Sequence, residues 1–198
     1  MITVAPYKTE DCSNLLKFCR IESMDKHPSS ENMWHTNWET MPNTLPYILQ
    51  FGNRFAERNG EFYILRDDNN NIIGCSGIYV SEFSPRVALA GTRTWINRKY
   101  RNMQLVKNYL LVAQRDWAVR NNIEIVACSF NEHNKNIRTL FSRGQKIGTR
   151  TPNHMFYKNF NVLDFMVTIQ NVPQWVIYEN LTDFKFDWES IRLELDSH

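Results

Sequence analysis

A strand, a basic turn and the start of a long amphipathic helix follow one another in Trp95-Ile-Asn-Arg-Lys-Tyr-Arg-Asn-Met-Gln-Leu-Val106. The first amides of a helix have no intrahelical acceptors, and the helix dipole adds partial positive charge at the same end. Such a helix start binds anions, with phosphate as the usual ligand. The alternative is a basic, solvated turn before a surface helix. Four cations crowd this turn: Arg98, Lys99, Arg101 and Lys107.

The hydrophobic pattern around this turn predicts a strand–helix–strand unit. Val87–Ile96 is predicted as a strand, and Ile123–Phe130 is a nearly continuous apolar run, typical of a strand buried on both faces. Between them a helix is expected from about Asn102 to Arg120, with an apolar stripe of Leu105, Tyr109, Val112, Ala113 and Trp117. Such a unit most often pairs its two strands in parallel within a mixed sheet.

The rest of the chain predicts further strands and helices around this unit. We expect a first strand over residues 2–7, a helix capped by Thr9, and a second helix over Leu45–Arg58. Glu61–Arg66 and Ile72–Val80 predict a hairpin. Downstream we expect a helix over residues 134–143, strands over 155–160, 165–170 and 175–179, and a helical piece over 187–195. The predicted class is α/β, with a central mixed sheet flanked by helices.

Composition limits the functions that the chain can have. Its 198 residues with 42% hydrophobic content fit one domain over residues 1–198. The net charge is only +2 and the basic residues are scattered, so we expect no nucleic-acid partner. No apolar run reaches the ~20 residues that cross a bilayer, so a cytoplasmic protein without a membrane partner is expected. Four cysteines without paired spacing predict free thiols and no metal site: Cys12, Cys19, Cys75 and Cys128.

Three sequence features carry a family resemblance. They are Ile72-Ile-Gly74 at the opening of the third strand, Ile96-Asn-Arg-Lys-Tyr-Arg101 before the central helix, and Asn131 and Asn134 followed by Ile137-Arg-Thr-Leu-Phe-Ser-Arg-Gly144. Together with the order of elements, they resemble the GNAT superfamily of acyl-coenzyme A N-acyltransferases. The resemblance covers mainly Glu61–Gly144 and, more loosely, the whole chain.

The resemblance implies a cosubstrate, acetyl-coenzyme A or another acyl-coenzyme A, and an acceptor that is a small-molecule or peptide amine. The amides of Trp95 and Ile96 would bind the pantetheine arm, and Asn134 would contact the cofactor from the far side. Glu82 and His35 are candidate bases, because they lie on segments expected near the acceptor. A second copy of the chain is a candidate partner. The pyrophosphate would be held by the amides of Arg101, Asn102, Met103, Gln104, Leu105 and Val106.

The chain departs from the family pattern at two places. The family loop has arginine or glutamine, two residues, glycine, one residue, then glycine or alanine; here Arg101, Gln104 and Val106 hold those positions. Phe141 stands where many members have a tyrosine that protonates the leaving thiolate, which phenylalanine cannot do. The alternative function is therefore a non-catalytic binding or assembly protein with this fold, for which the tryptophan-containing loop 24–46 is a candidate contact surface.

Overall fold

The computed structural model describes residues 1–23, 55–101, 103–130, 160–169 and 172–191. The chain divides into two compact units, one formed by Met1–Tyr79 and Arg93–Ala113, the other by Val80–Thr92 and Gln114–His198. The loop predicted over residues 24–46, the helix predicted over 134–143 and most of the helix predicted over 45–58 lie outside the described residues. The single domain therefore stays a prediction.

The first unit contains the N-terminal strands and the first helix. Its elements are β1 (Thr3–Pro6), a 3-10 turn (Thr9–Asp11), α1 (Cys12–Ser23), β2 (Glu61–Arg66), β3 (Ile72–Val80) and the last residues of β4 (Val87–Ile96). The strand order is β1-β2-β3-β4, with β1 and β3 both antiparallel to β2. This confirms the predicted hairpin. Nearly every residue of β3 is buried, so both of its faces are covered.

The first helix begins differently from the prediction. The residue before the 3-10 turn is Lys8, and Thr9 lies inside the turn. The Lys8 backbone N–H donates to Asp11 Oδ2 at 3.0 Å, so the carboxylate three residues ahead satisfies this donor. Asp11 also pairs with Arg66, which ties the start of the helix to the end of β2. The predicted Thr9 cap is wrong, because the tightened first turn gives the capping contact to an aspartate.

In the second unit the strand order is β4-β5-β7-β6. Val87–Ala90 of β4 pair in parallel with Ile125–Cys128 of β5 (Ile125–Phe130), which confirms the predicted parallel pairing and the mixed sheet. β7 (Val172–Asn180) is antiparallel to both β5 and β6 (Phe160–Ile169). β6 contains most of the strand predicted over 165–170 but begins earlier, at Phe160, and its register with β7 is irregular between Val162 and Met166. Residues 155–159 of the other predicted strand lie outside the described residues.

The central helix begins later than predicted. Arg98–Tyr100 form a 3-10 turn, Arg101 is extended, and Gln104 has a φ of 55°. A left-handed residue cannot continue into a right-handed helix, so the helix starts at Leu105. It opens with a π-helical segment, Val106–Leu110, and continues as α2 (Leu111–Arg120).

The π-helical segment changes which face of the helix is buried. Val112, which we expected in the apolar stripe, is 42% exposed. Each i to i+5 turn holds one residue more than an α-helical turn, so the buried face shifts by one residue. The observed buried positions are Leu105, Leu110, Leu111, Gln114, Trp117 and Ala118. A polar residue, Gln114, therefore lies in the stripe.

Among the described residues, no helix has the length and apolar content needed to cross a membrane. Within the same residues, no cluster of His, Cys, Asp or Glu could hold a metal ion. All four cysteines are buried and free.

Candidate functional site

The basic turn after β4 is fastened to the strand beside it. The Asn97 N–H donates to the carbonyl of Ile73 on β3 at 2.8 Å, and Asn97 Oδ1 accepts from the Lys99 N–H at 2.9 Å. The Tyr100 N–H donates to the Asn97 carbonyl at 2.9 Å. The turn is therefore held in one conformation by contacts of the protein itself.

A second contact joins this turn to the β2–β3 hairpin. The Tyr100 hydroxyl donates to Asp67 Oδ2 at 3.2 Å, while Asp67 Oδ1 accepts from the N–H groups of Asn69 and Asn71. The hydrogen bond from the Asn71 side chain is the largest cause that lowers the pKa of Asp67. Desolvation, followed by the bond to Asp67, raises the pKa of Tyr100. At neutral pH the carboxylate thus stays charged and the phenol stays a donor.

Arg101 is anchored at the end of β4. Its Nε donates to the carbonyl of Ile96 at 3.1 Å. The guanidinium is therefore held next to the first residues of the loop rather than extended into solvent. Further along, partial burial lowers the pKa of Lys107, which lies in the π-helical segment.

Two residues of this region, Arg93 and Gln104, have a left-handed backbone conformation. Five non-glycine residues of the described chain have positive φ, and three of them are asparagines, which tolerate this conformation. The other two are Arg93, at 58°, and Gln104, at 55°. Unfavourable backbone persists where the surrounding structure enforces it, and it concentrates at functional sites. The sequence contains no signal that singles out Arg93.

Gln104 is the residue that the resemblance to the GNAT superfamily aligns with a glycine. Its conformation is the one that glycine adopts without strain. The backbone at position 104 therefore has a conformation that favours glycine, although the residue there is glutamine.

This conformation predicts that Gln104→Gly stabilises the protein. Relief of the left-handed strain exceeds the added entropy of the unfolded glycine, so we expect a gain of about 0.5–1 kcal/mol in the free energy of unfolding. Val106→Gly is the matched control. Because Val106 is helical, this variant should lose about 1 kcal/mol in the free energy of unfolding. Urea denaturation measures both variants. Equal losses for both would show that position 104 carries no strain.

The amides of the end of β4 alternate in direction. Because the Asn97 N–H binds β3, the Trp95 N–H of the antiparallel ladder faces β3 as well, and the Ile96 N–H faces away. The Thr94 N–H points the same way as that of Ile96, and the Thr94 hydroxyl lies 2.7 Å from Ser76 Oγ. The amides of Trp95 and Ile96, which the resemblance assigns to one ligand, thus face opposite sides of the strand.

The other candidate residues are placed only in part. Glu82 is exposed in the segment between β3 and β4. His35, Asn102, Asn134 and Phe141 lie outside the described residues, so their roles stay predictions. Burial, followed by the charge of Glu179, raises the pKa of Cys128 to about 12, which leaves this thiol protonated and unreactive.

Solved structures provide the comparison with known proteins, since no protein-family model and no curated protein matches the sequence. A GNAT-family acetyltransferase from Streptococcus pneumoniae aligns with a TM-score of 0.63 at 13% identity over 92% of this chain and 100% of that chain. A chimeric spermidine N-acetyltransferase from Vibrio cholerae aligns at 0.60 and 12% identity, over 90% and 95%. RimL, a ribosomal-protein alpha-N-acetyltransferase in complex with coenzyme A, aligns at 0.61 and 13%, over 90% and 92%. At these identities the shared property is the fold.

Proposed function

We propose, because this chain has the fold of the GNAT acetyltransferases, that it is an N-acyltransferase that moves an acyl group from acyl-coenzyme A to an amine. The observation that carries the proposal is the left-handed Gln104 directly before the helix start at Leu105. It combines the backbone of a glycine loop with the positive end of a long helix. The second function, a binding protein without chemistry, rests on the side chains at Gln104 and Val106.

The proposed contacts of the cosubstrate use mostly backbone donors. The pyrophosphate would be bound by the amides of residues 101–106 and by the helix dipole. Arg101 would add a charge-assisted hydrogen bond, and its anchor on Ile96 places its charge at the start of the loop. The Ile96 amide, which faces away from β3, is the donor that we assign to the pantetheine arm, and the contact of the Trp95 amide stays a prediction.

The proposed reaction is direct attack. The nitrogen of the neutral amine bonds to the thioester carbonyl carbon, the carbon–sulfur bond breaks, and the thiolate of coenzyme A leaves with its electron pair. A base removes a proton from the amine, and the thiolate takes up a proton from a donor or from water. Glu82 and His35 are the bases that we propose to test. Because a neutral amine is already a competent nucleophile, positioning supplies much of the rate.

The structural neighbours suggest the acceptor amine, because they include a spermidine N-acetyltransferase and a ribosomal-protein alpha-N-acetyltransferase. Both a polyamine and a peptide N-terminus are therefore candidate acceptors. Acetyl-coenzyme A is the proposed donor. A cytoplasmic location and a homodimer belong to the same proposal.

The test is a titration of acetyl-coenzyme A into the protein by calorimetry, followed by measurement of thiol release with spermidine and with a peptide N-terminus. An N-acyltransferase should bind the cosubstrate and release thiol faster with one amine than without it. Binding without amine-dependent thiol release would favour the non-catalytic binding protein. A folded protein that gives no heat with acetyl-coenzyme A would rule out the N-acyltransferase.

A further inference from the structure

The pairing of β4 with β5 ends while both strands continue. The last pair is Ala90 with Cys128, although β4 runs on to Ile96 and β5 to Phe130. The next residue of β4, Gly91, has a φ of 70°, in the left-handed region that favours glycine. The backbone of β4 therefore leaves regular strand geometry one residue after its last contact with β5.

A side chain of the central helix holds this bend. Gln114 Oε1 accepts a hydrogen bond from the Gly91 N–H at 2.7 Å. Because only the oxygen of the amide can accept from an N–H group, this bond also fixes the orientation of the Gln114 amide. Gln114 is completely buried.

A buried glutamine destabilises the fold more than an apolar residue of the same size would, so packing alone does not explain Gln114. Its Nε2 has no hydrogen-bond partner among the residues that the structure describes. A buried donor without a partner destabilises the fold, whereas a methionine would fill a similar volume without such a donor. A methionine could not replace the hydrogen bond that Gln114 Oε1 accepts from the Gly91 N–H.

We infer that Gln114 is a positioning residue, which fixes the bend of β4 at Gly91 and keeps Gly91–Thr92 apart from Ser129–Phe130 of β5. This inference rests on the proposed N-acyltransferase function, for which we place the thioester end of acyl-coenzyme A where these parallel strands part. Gln114 acts through the backbone of Gly91 and not on the phosphates. Loss of the contact should therefore slow turnover and leave the affinity for coenzyme A nearly unchanged.

The first measurement needs no ligand. In Gln114→Met the Gly91 amide loses its buried acceptor, so its hydrogen exchange should accelerate at least tenfold. Trp117→Phe, one turn along the same buried face, is the matched control and should leave the exchange of Gly91 within about twofold. Unchanged exchange of Gly91 in Gln114→Met would overturn the inference.

The second measurement separates positioning from general destabilisation. With the amine found by thiol release, kcat of Gln114→Met should fall about tenfold while the Kd of coenzyme A stays within about twofold. Gln114→Glu should stay within about threefold of the wild-type kcat at pH 6, because burial favours the neutral carboxyl, which keeps an acceptor for Gly91. An unchanged kcat in Gln114→Met, or equal losses in Trp117→Phe, would overturn the inference. A wild type without turnover would refute the proposed function and this positioning role with it, while exchange would still decide whether Gln114 holds Gly91.

Discussion

Arg101→Ala is expected to weaken coenzyme A binding by about tenfold to a hundredfold. A charge-assisted hydrogen bond to a phosphate contributes about 1.5–3 kcal/mol, which corresponds to this range of dissociation constants. The substitution also removes the Nε bond to the Ile96 carbonyl, so the loop loses one of its anchors as well as a charge. Calorimetric titration of coenzyme A into both proteins, in one buffer at one salt concentration, measures the effect.

Lys99→Ala is the matched control for this prediction. Lys99 is an exposed cation of the same turn, and its backbone N–H, which binds Asn97, is unaffected by the substitution. We expect its affinity to change by about threefold or less, because salt screens an exposed charge. Equal losses in the two variants would show that the loop attracts coenzyme A through general charge alone. An unchanged affinity in Arg101→Ala would remove Arg101 from the site.

Gly77→Ala is expected to lower the free energy of unfolding by about 2–3 kcal/mol. A Cβ at this position of β3 would lie 2.2 Å from Cε1 and 2.3 Å from Cζ of Phe55. The Phe55 ring has little room to move, because it is buried and packs against Phe62 and Tyr79 at centroid distances of 5.2 and 5.8 Å. The effect is steric, since Gly77 does not have positive φ. Thermal unfolding should show a decrease in Tm of about 5–10 °C.

A double-mutant cycle isolates this clash. In a Phe55→Leu background the smaller side chain leaves room for the alanine, so Gly77→Ala should cost at least 1 kcal/mol less than in the wild type. The same cost in both backgrounds would place the source of the effect elsewhere than in the Phe55 ring.

Local pattern was enough to predict most strands. The short apolar run within Glu61–Arg66 and the apolar run of residues 123–130 each indicate a buried strand, because consecutive apolar residues need cover on both faces. The parallel pairing of β4 with β5 followed from the helix between them. The loop that we propose to bind pyrophosphate was located from its charges and from its place before a helix.

The start and phase of the central helix were not predictable in the same way. The sequence 102–104 contains no glycine or proline, so nothing in it ends a helical pattern, yet Gln104 is left-handed and the helix begins at Leu105. The π-helical segment then moves Val112 to the surface. Both features cost local energy, and contacts with residues distant in the sequence offset that cost.

The sequence by itself determined which described segments are strands and which are helical, and their order, because hydrophobic periodicity reflects burial within each segment. Tertiary structure alone decided the bend at Gly91, its partner Gln114 and the direction of the Ile96 amide. These depend on hydrogen bonds between residues more than twenty positions apart. The order of apolar and polar residues in a segment sets its hydrophobic period, but only packing against other segments selects which backbone donor bonds to which acceptor.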